Sequence, residues 1–269
     1  MSQYLINFIL EASHKISGLL YRDYTEIEKL SVNSRTISFV DKSLERSFDM
    51  LAEALGRYSR NSAVILSHEF INVEKSEDKP QILFVVTPID ALGNFTKALN
   101  FFGITIVAME LNKDNTYTTK AAVVNFPTLK QSCYSYENGG LWLKDFGFDN
   151  KNVRLKVKSN QTIQNWLVIS DRAQNFNAPI SINNLAINKL AFRNFGSITF
   201  ASLLFFSNKA DCIIYTNIDR ANLEAIKLFA KEGGALLSQF KAGSTYWLLT
   251  NYDIKIAEKS LEPPIKIKL

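Results

Sequence analysis

The chain has 269 residues, of which 46% are hydrophobic and 21% charged, and it carries a net charge of +5 with a pI near 9.0. This composition excludes an intrinsically disordered chain and predicts one large domain or two closely packed ones. Two cysteines are too few for a disulfide framework, the N-terminal residues do not form a signal peptide, and no apolar run approaches the roughly 20 residues of a membrane span, so we expect a cytoplasmic protein without membrane association.

The first part of the chain predicts two helices followed by two buried strands. Apolar residues recur at helical spacing between positions 5 and 19. A second amphipathic helix is predicted from about residue 42 to 58, and Asp41 would stand at its start as an N-cap or a first-turn anion. Short apolar runs at 63–66 and 82–86 are typical of buried strands.

Residues 84–95, FVVTPIDALGNF, form the most informative stretch of the chain. Pro88 has no N–H to donate to a β-ladder, so we expect the strand to stop there. Asp90 follows at once, at the kind of strand end where α/β folds place ligands. Asp90 is therefore either part of a site or the cap of a following turn. Upstream, the charged residues 70–80 predict a loop.

The rest of the chain predicts an antiparallel meander and then an alternation of strands and helices. Strands are predicted at 104–109, 117–124, 131–136 and 141–143, joined by polar turns. The later strands are predicted at 166–170, 190–192, 212–215 and 235–237, with helices after Gly196-Ser197 and from 222 to 231. We therefore divide one compact structural unit into residues 1–160, a helix pair with an antiparallel sheet half, and residues 161–269, an α/β half.

The order of these features resembles the inositol monophosphatase family, including its bacterial SuhB-type extragenic-suppressor branch. The matching features are a helix pair, Glu69 before a polar loop, the segment 87–95 (similar to DPIDGTxNF), a meander, the turn 193–197 (R-x-x-GS) and the pair 233–234 (GG). The resemblance implies an α+β/α/β fold, the sugar-phosphatase αβαβα sandwich, usually as a homodimer. It also implies Mg²⁺-dependent hydrolysis of phosphate monoesters.

The family's metal ligands carry over only in part. By resemblance, Glu69 falls on a metal-binding Glu, Asp90 on the second strand-end Asp, and Ile89 on the residue that offers its backbone carbonyl. Asp41 matches the Asp that partners a water-positioning Thr. The Asp that bridges two metals, however, is replaced by Thr87.

Other substitutions fall on the family's catalytic positions. Leu92 replaces the water-positioning Thr, and the last metal-binding Asp falls on Ala221 or Asn222, depending on the alignment register. Asp219 is near but off register, and Tyr215 replaces a substrate-contacting Glu. The resemblance leaves the turn Ala91, Leu92 and Gly93, together with Ser197, as the phosphate-binding residues.

The sequence therefore predicts an eroded site that binds Mg²⁺ weakly or not at all, with little phosphatase activity and a binding or regulatory role. The alternative is an active Mg²⁺-dependent phosphomonoesterase on inositol, sugar or nucleotide phosphates, which needs Asp219 or another carboxylate to replace the lost ligands. By resemblance, the partners would be a phosphate-containing small molecule, the transcription machinery or RNA. The simpler reading makes Asp90 and Asp41 caps and Glu69 a solvated loop carboxylate.

Overall fold

The computed structural model describes residues 2–29, 34–147, 151–158, 167–170, 191–242 and 244–250. These residues form helices and two β-sheets. The helices are α1 (Ser2–Glu28), α2 (Ser34–Gly56), α3 (Phe70–Lys75), α4 (Leu92–Thr96), α5 (Ile198–Phe206) and α6 (Arg220–Gly233). The strands are β1 (Ser62–Leu66), β2 (Ile82–Asp90), β3 (Gly103–Leu111), β4 (Tyr117–Phe126), β5 (Gln131–Tyr136), β6 (Leu141–Asp145), β7 (Asn152–Leu155), β8 (Leu167–Ser170), β9 (Ala191–Arg193), β10 (Cys212–Tyr215), β11 (Leu236–Ala242) and β12 (Ser244–Thr250).

The larger sheet contains β1 to β7 in chain order, and the smaller one has the order β11-β12-β10-β8-β9. Strand β1 runs parallel to β2, and the remaining neighbours in the larger sheet are antiparallel. In the smaller sheet, β8 runs parallel to both β9 and β10. The predicted meander is confirmed, and the predicted division at residue 160 stays a prediction.

The sheets and helices stack in layers because successive strand residues face opposite sides of a sheet. In β2, for example, Phe84 and Val86 belong to the core beneath α1 and α2, whereas Leu83 and Val85 belong to a second core. That second core also contains residues of α5, α6 and the smaller sheet. The described residues thus supply the helix, sheet, helix, sheet order of the expected sandwich.

Two predicted boundaries near the N-terminus are wrong. Helix α2 begins at Ser34, so Asp41 is an exposed residue inside the helix and not its cap. The helix starts earlier because Thr36 and Val40, one turn apart, are both buried. Residues 70–75 form α3 instead of a loop, since Phe70 packs into the core and fixes this segment.

Strand β2 does not stop at Pro88 but continues to Asp90. Thr87 pairs with Thr105 and Asp90 pairs with Gly103, with a register shift between the two pairs. A bulge of this kind accommodates a residue that has no N–H to donate. The prediction that the strand ends at Pro88 is therefore wrong, and the extension carries Asp90 into the sheet.

The predictions for the later helices and strands are confirmed only in part. The apolar run at 200–206 is part of a buried helix, α5, as expected. Strands β7 and β12 were not predicted. Trp166 and Leu190, predicted as strand residues, lie outside the described residues. Over the ranges described above, the structure contains no helix with the length and hydropathy needed to cross a membrane.

Candidate functional site

The candidate site lies where the end of β2 meets the starts of α5 and α6. Ser197 caps α5 by accepting a hydrogen bond from the backbone N–H of Phe200. Asp219 caps α6 in the same way, through the backbone N–H of Asn222. Short polar side chains are preferred at these positions because they satisfy N–H groups that lack partners within the helix. The two caps bring a hydroxyl and a carboxylate toward Asp90.

Asp90 is a buried carboxylate held by hydroxyl groups, with only 8% of its surface exposed. Its Oδ2 accepts hydrogen bonds from Ser197 Oγ at 2.7 Å, Thr199 Oγ1 at 2.7 Å and the Thr199 backbone N–H at 3.2 Å. Burial raises the pKa of Asp90, the hydrogen bonds from Thr199 and Ser197 oppose the rise, and the nearby Asp219 charge adds to it. The donors therefore stabilise a charge that burial disfavours.

Gly103 permits this arrangement. It pairs with Asp90 across the β2–β3 ladder, and a Cβ atom added to it would lie 2.8 Å from Thr199 Oγ1. Any side chain at this position would therefore push away the hydroxyl that binds Asp90. A glycine is required here by the close approach of α5, not by its backbone angles.

Asp219 is surrounded by donors from three segments of the chain. Its Oδ1 accepts hydrogen bonds from Ser67 Oγ at 2.7 Å, Thr87 Oγ1 at 2.9 Å and the Asn222 backbone N–H at 3.0 Å. Its Oδ2 accepts one from Asn222 Nδ2 at 2.5 Å. Each carboxylate oxygen offers about two lone-pair sites, so protein donors saturate Oδ1 of Asp219, whereas Oδ2 accepts one hydrogen bond from a described residue.

The side-chain amide of Asn222 links the two carboxylates. Besides its bond to Asp219, Nδ2 donates a long hydrogen bond of 3.5 Å to Asp90 Oδ1. Its Oδ1 accepts from Thr105 Oγ1 at 2.5 Å. In contrast, Ala221 takes part only through its backbone N–H, which donates to Ser67 Oγ at 2.8 Å. Of the two residues aligned with the family's last metal ligand, Asn222 is the one whose side chain contacts the carboxylates.

The other predicted metal-site residues do not join this network. Glu69 is half-buried, and its Oε2 accepts from the backbone N–H of Leu66 at 2.8 Å. Asp41 is exposed in the middle of α2. In the part of the chain that the structure describes, no group of three or more His, Cys, Asp or Glu residues is placed to hold a metal ion. Asp219 thus comes close to Asp90, but the two do not form a metal-holding group with Glu69.

The turn after Asp90 keeps an unusual backbone shape. Ala91 has φ 56° and ψ 53°, the left-handed region that favours glycine, and its carbonyl accepts from the N–H groups of Asn94 and Phe95. The side chain of Asn94 donates to the carbonyls of Phe101 and Phe195 at 2.8 Å each, which ties this turn to the 193–197 turn. Ala91, Leu92 and Gly93 remain a predicted phosphate-binding turn, whereas the Ser197 hydroxyl is already bonded to Asp90.

A pocket of about 300 Å³ opens beside Asp90. Tyr215, which by the resemblance stands at the place of a substrate-contacting Glu, is buried in its wall and shares a 2.6 Å hydrogen bond with Ser202. Asp90 is the one carboxylate of the described lining, which is otherwise apolar or neutral. The polar residues of that lining are Asp90, Ser170, Asn194, Ser197, Tyr215, Thr216 and Asn217.

Sequence reasoning missed three polar contributors to the site, Ser67, Thr105 and Thr199, and left open whether Ala221 or Asn222 takes part. Thr105 gave a usable signal, because a hydroxyl in the apolar strand run 104–109 needs a partner when buried. The contribution of Thr199 could have been inferred from its position two residues after Ser197, which caps α5. Ser67 gave no signal, since its partner Asp219 lies 152 residues away.

The chain has relatives of low sequence identity but nearly full-length coverage. No family model matches it. It is 22% identical over 243 residues to the Nus factor SuhB of Buchnera aphidicola subsp. Acyrthosiphon pisum, covering 88% of this chain and 86% of that protein. It is 21% identical over 247 residues to the Nus factor SuhB of Haemophilus influenzae, covering 90% of this chain and 87% of that protein.

Solved structures show the same fold. The extragenic suppressor protein suhB of Bartonella henselae superposes with a TM-score of 0.71 at 17% identity, covering 94% of this chain and 96% of that chain. The Thermotoga maritima IMPase gives a TM-score of 0.69 at 18% identity, covering 93% of this chain and 92% of that chain. The predicted layered sandwich is confirmed.

Proposed function

Because this chain belongs to the inositol monophosphatase family, in its SuhB-type branch, we propose that it acts by binding and regulation and not by Mg²⁺-dependent phosphate hydrolysis. The observation that carries this proposal is the set of four hydrogen bonds that Asp219 accepts from Ser67, Thr87 and Asn222, three on Oδ1 and one on Oδ2. A carboxylate with these donors is stabilised by the protein without a metal ion.

The residues at the site do not fit Mg²⁺. This ion prefers an octahedral set of oxygen ligands and gives up its bound water reluctantly. To bind Oδ1 of Asp219, it would have to displace a hydrogen bond from Ser67, Thr87 or the Asn222 backbone, and at Oδ2 it would share the oxygen with the Asn222 amide. At the bridging position, Thr87 brings a hydroxyl whose proton points to Asp219, and this group adds no negative charge to offset the dehydration of the ion.

The catalytic positions are also altered. Leu92 has no hydroxyl with which to position an attacking water, and it packs against the core beneath α1 and α2. Glu69, which the resemblance makes a metal ligand, instead bonds to the backbone of Leu66. The substitution at Leu92 removes a part that a metal-dependent hydrolase uses only in combination with the others, and Glu69 is kept but engaged by the backbone.

The proposed binding role is supported by the relatives and by the pocket beside Asp90. The relatives named above are Nus factors, and this name points to the transcription machinery as the partner of this chain as well. The basic net charge suits RNA or another acidic partner. We assign a phosphate-containing small molecule to the Ala91–Gly93 turn beside the pocket, and a homodimer as the assembly.

The test is Mg²⁺-dependent turnover on a panel of inositol, sugar and nucleotide monophosphates. The natural protein should stay near the background rate. The triple variant Thr87→Asp, Leu92→Thr and Asn222→Asp should exceed it, whereas each single change should do little.

A matched control replaces Asn222→Asp with Ala221→Asp in the triple variant. It should not raise turnover, because the Ala221 side chain makes none of the contacts to Asp90 or Asp219 described above. Turnover by the natural protein at ordinary enzyme rates would overturn the proposal and favour the active phosphomonoesterase.

A further inference from the structure

We infer that the side-chain amide of Asn222 takes the place of a cation between Asp90 and Asp219, and that this residue keeps the site free of metal. The inference rests on the proposed function and names the residue responsible for it. The same nitrogen, Nδ2, is 2.5 Å from Asp219 Oδ2 and 3.5 Å from Asp90 Oδ1. With only 1% of its surface exposed, Asn222 is buried between them.

The two carboxylates fix the orientation of this amide. The hydroxyl of Thr105 is 2.5 Å from Asn222 Oδ1 and can donate or accept, so it suits the orientation that the carboxylates select. The reversed orientation would aim the amide oxygen at Asp219 and Asp90, which are also acceptors. The network therefore permits one orientation, in which the NH₂ group points to both carboxylates.

The amide brings less positive charge than a metal ion. Each N–H supplies a partial charge, so the two carboxylates are linked but not neutralised. This arrangement holds the end of β2 to the start of α6 without any ion. It also explains why a metal gains little by binding, because the position between the two carboxylates is filled by a donor belonging to the protein.

The substitution Asn222→Asp should allow a divalent cation to bind at this site. The two side chains have nearly the same shape, but the new carboxylate replaces a donor with a third negatively charged acceptor. Its repulsion with Asp90 and Asp219 is relieved by a divalent cation, which accepts oxygen ligands. A single isosteric change should therefore convert a metal-free site into one that binds divalent cations.

The experiment measures Mn²⁺ binding by electron paramagnetic resonance and by calorimetry. The proteins compared are the natural chain, Asn222→Asp, and the control Asn72→Asp, which adds the same charge at an exposed position on α3. We expect Asn222→Asp to bind Mn²⁺ at least about tenfold more tightly than the other two, and its melting temperature to rise with added Mn²⁺. Equal Mn²⁺ affinity in all three folded proteins would overturn the inference.

A second variant keeps the inference testable if Asn222→Asp does not fold. Asn222→Ala removes the shared donor without adding charge, and it should lower the melting temperature by roughly 4 °C or more relative to Asn72→Ala. An unchanged melting temperature would show that the amide does not hold the carboxylates. Failure of the inference leaves the proposed function intact as long as the natural protein shows no Mg²⁺-dependent turnover.

Discussion

Replacing Thr87 with aspartate should expose the electrostatic character of the site. In the structure the Thr87 hydroxyl donates to Asp219 Oδ1 at 2.9 Å, so an aspartate would face another carboxylate at about the same place. Thr87→Asn is the matched control, because it has the shape of aspartate, carries no charge and can still donate to Asp219. The difference in stability between the two variants isolates the repulsion of the charges.

The size of this difference follows from the distance and the exposure of the pair. Two unit charges about 4 Å apart repel each other by about 4 kcal/mol at an effective dielectric constant of about 20, and by about 1 kcal/mol in bulk water. Thr87 and Asp219 are both half-buried, so the value falls between these limits. We expect the unfolding free energy of Thr87→Asp to be about 2 kcal/mol lower than that of Thr87→Asn at pH 7.5.

Urea unfolding followed by circular dichroism at low ionic strength measures this difference directly. If Thr87→Asp is as stable as Thr87→Asn at pH 7.5, then Asp219 is not an ionised, cation-free carboxylate. That result would refute the reasoning behind the proposed loss of metal.

Three further predictions concern Asp90, the turn that follows it and the assembly. Because burial raises the pKa of Asp90 above its ordinary 3.8, the natural protein gains stability from this group as pH falls toward that value. The unfolding free energy of Asp90→Asn minus that of the natural protein should therefore be more positive at pH 7.5 than at pH 4. A difference that is more positive at pH 4 would contradict this. Ala91→Gly should stabilise the protein by roughly 0.5 kcal/mol, because the alanine has left-handed backbone angles that glycine adopts without strain. The control Ala52→Gly, inside α2, should instead destabilise the protein by about 1 kcal/mol. Equal effects of the two changes in thermal unfolding would argue against a strained turn. Light scattering should report a homodimer, and a monomer at working concentrations would refute that assignment.

Local periodicity predicts most of the helices and strands of this fold. The apolar residues of α1 recur at helical spacing, and polar turns separate the strands of the meander. The errors occur where partners distant in sequence decide the structure. The extension of β2 through Pro88 depends on its pairing with β3, and the helical form of residues 70–75 depends on the burial of Phe70.

The candidate site could be predicted only as a set of residue types. The resemblance implies that Thr87 and Leu92 stand at functional positions, but Thr87 and Asp219 are 132 residues apart, and no local pattern brings them together. Ala221 and Asn222 are equally compatible with the alignment. Neighbouring residues on a helix point about 100° apart, so only the orientation of α6 decides which side chain faces Asp90.

Calorimetric titration of the natural protein with Mg²⁺ tests the central claim most directly. We predict no binding, or binding only in the millimolar range, because Asp219 accepts four hydrogen bonds from protein donors and Asn222 lies between the two carboxylates. Addition of Mg²⁺ should accordingly leave the melting temperature unchanged at submillimolar concentrations. A tight, stoichiometric Mg²⁺ site that is lost in Asp90→Asn would contradict the account.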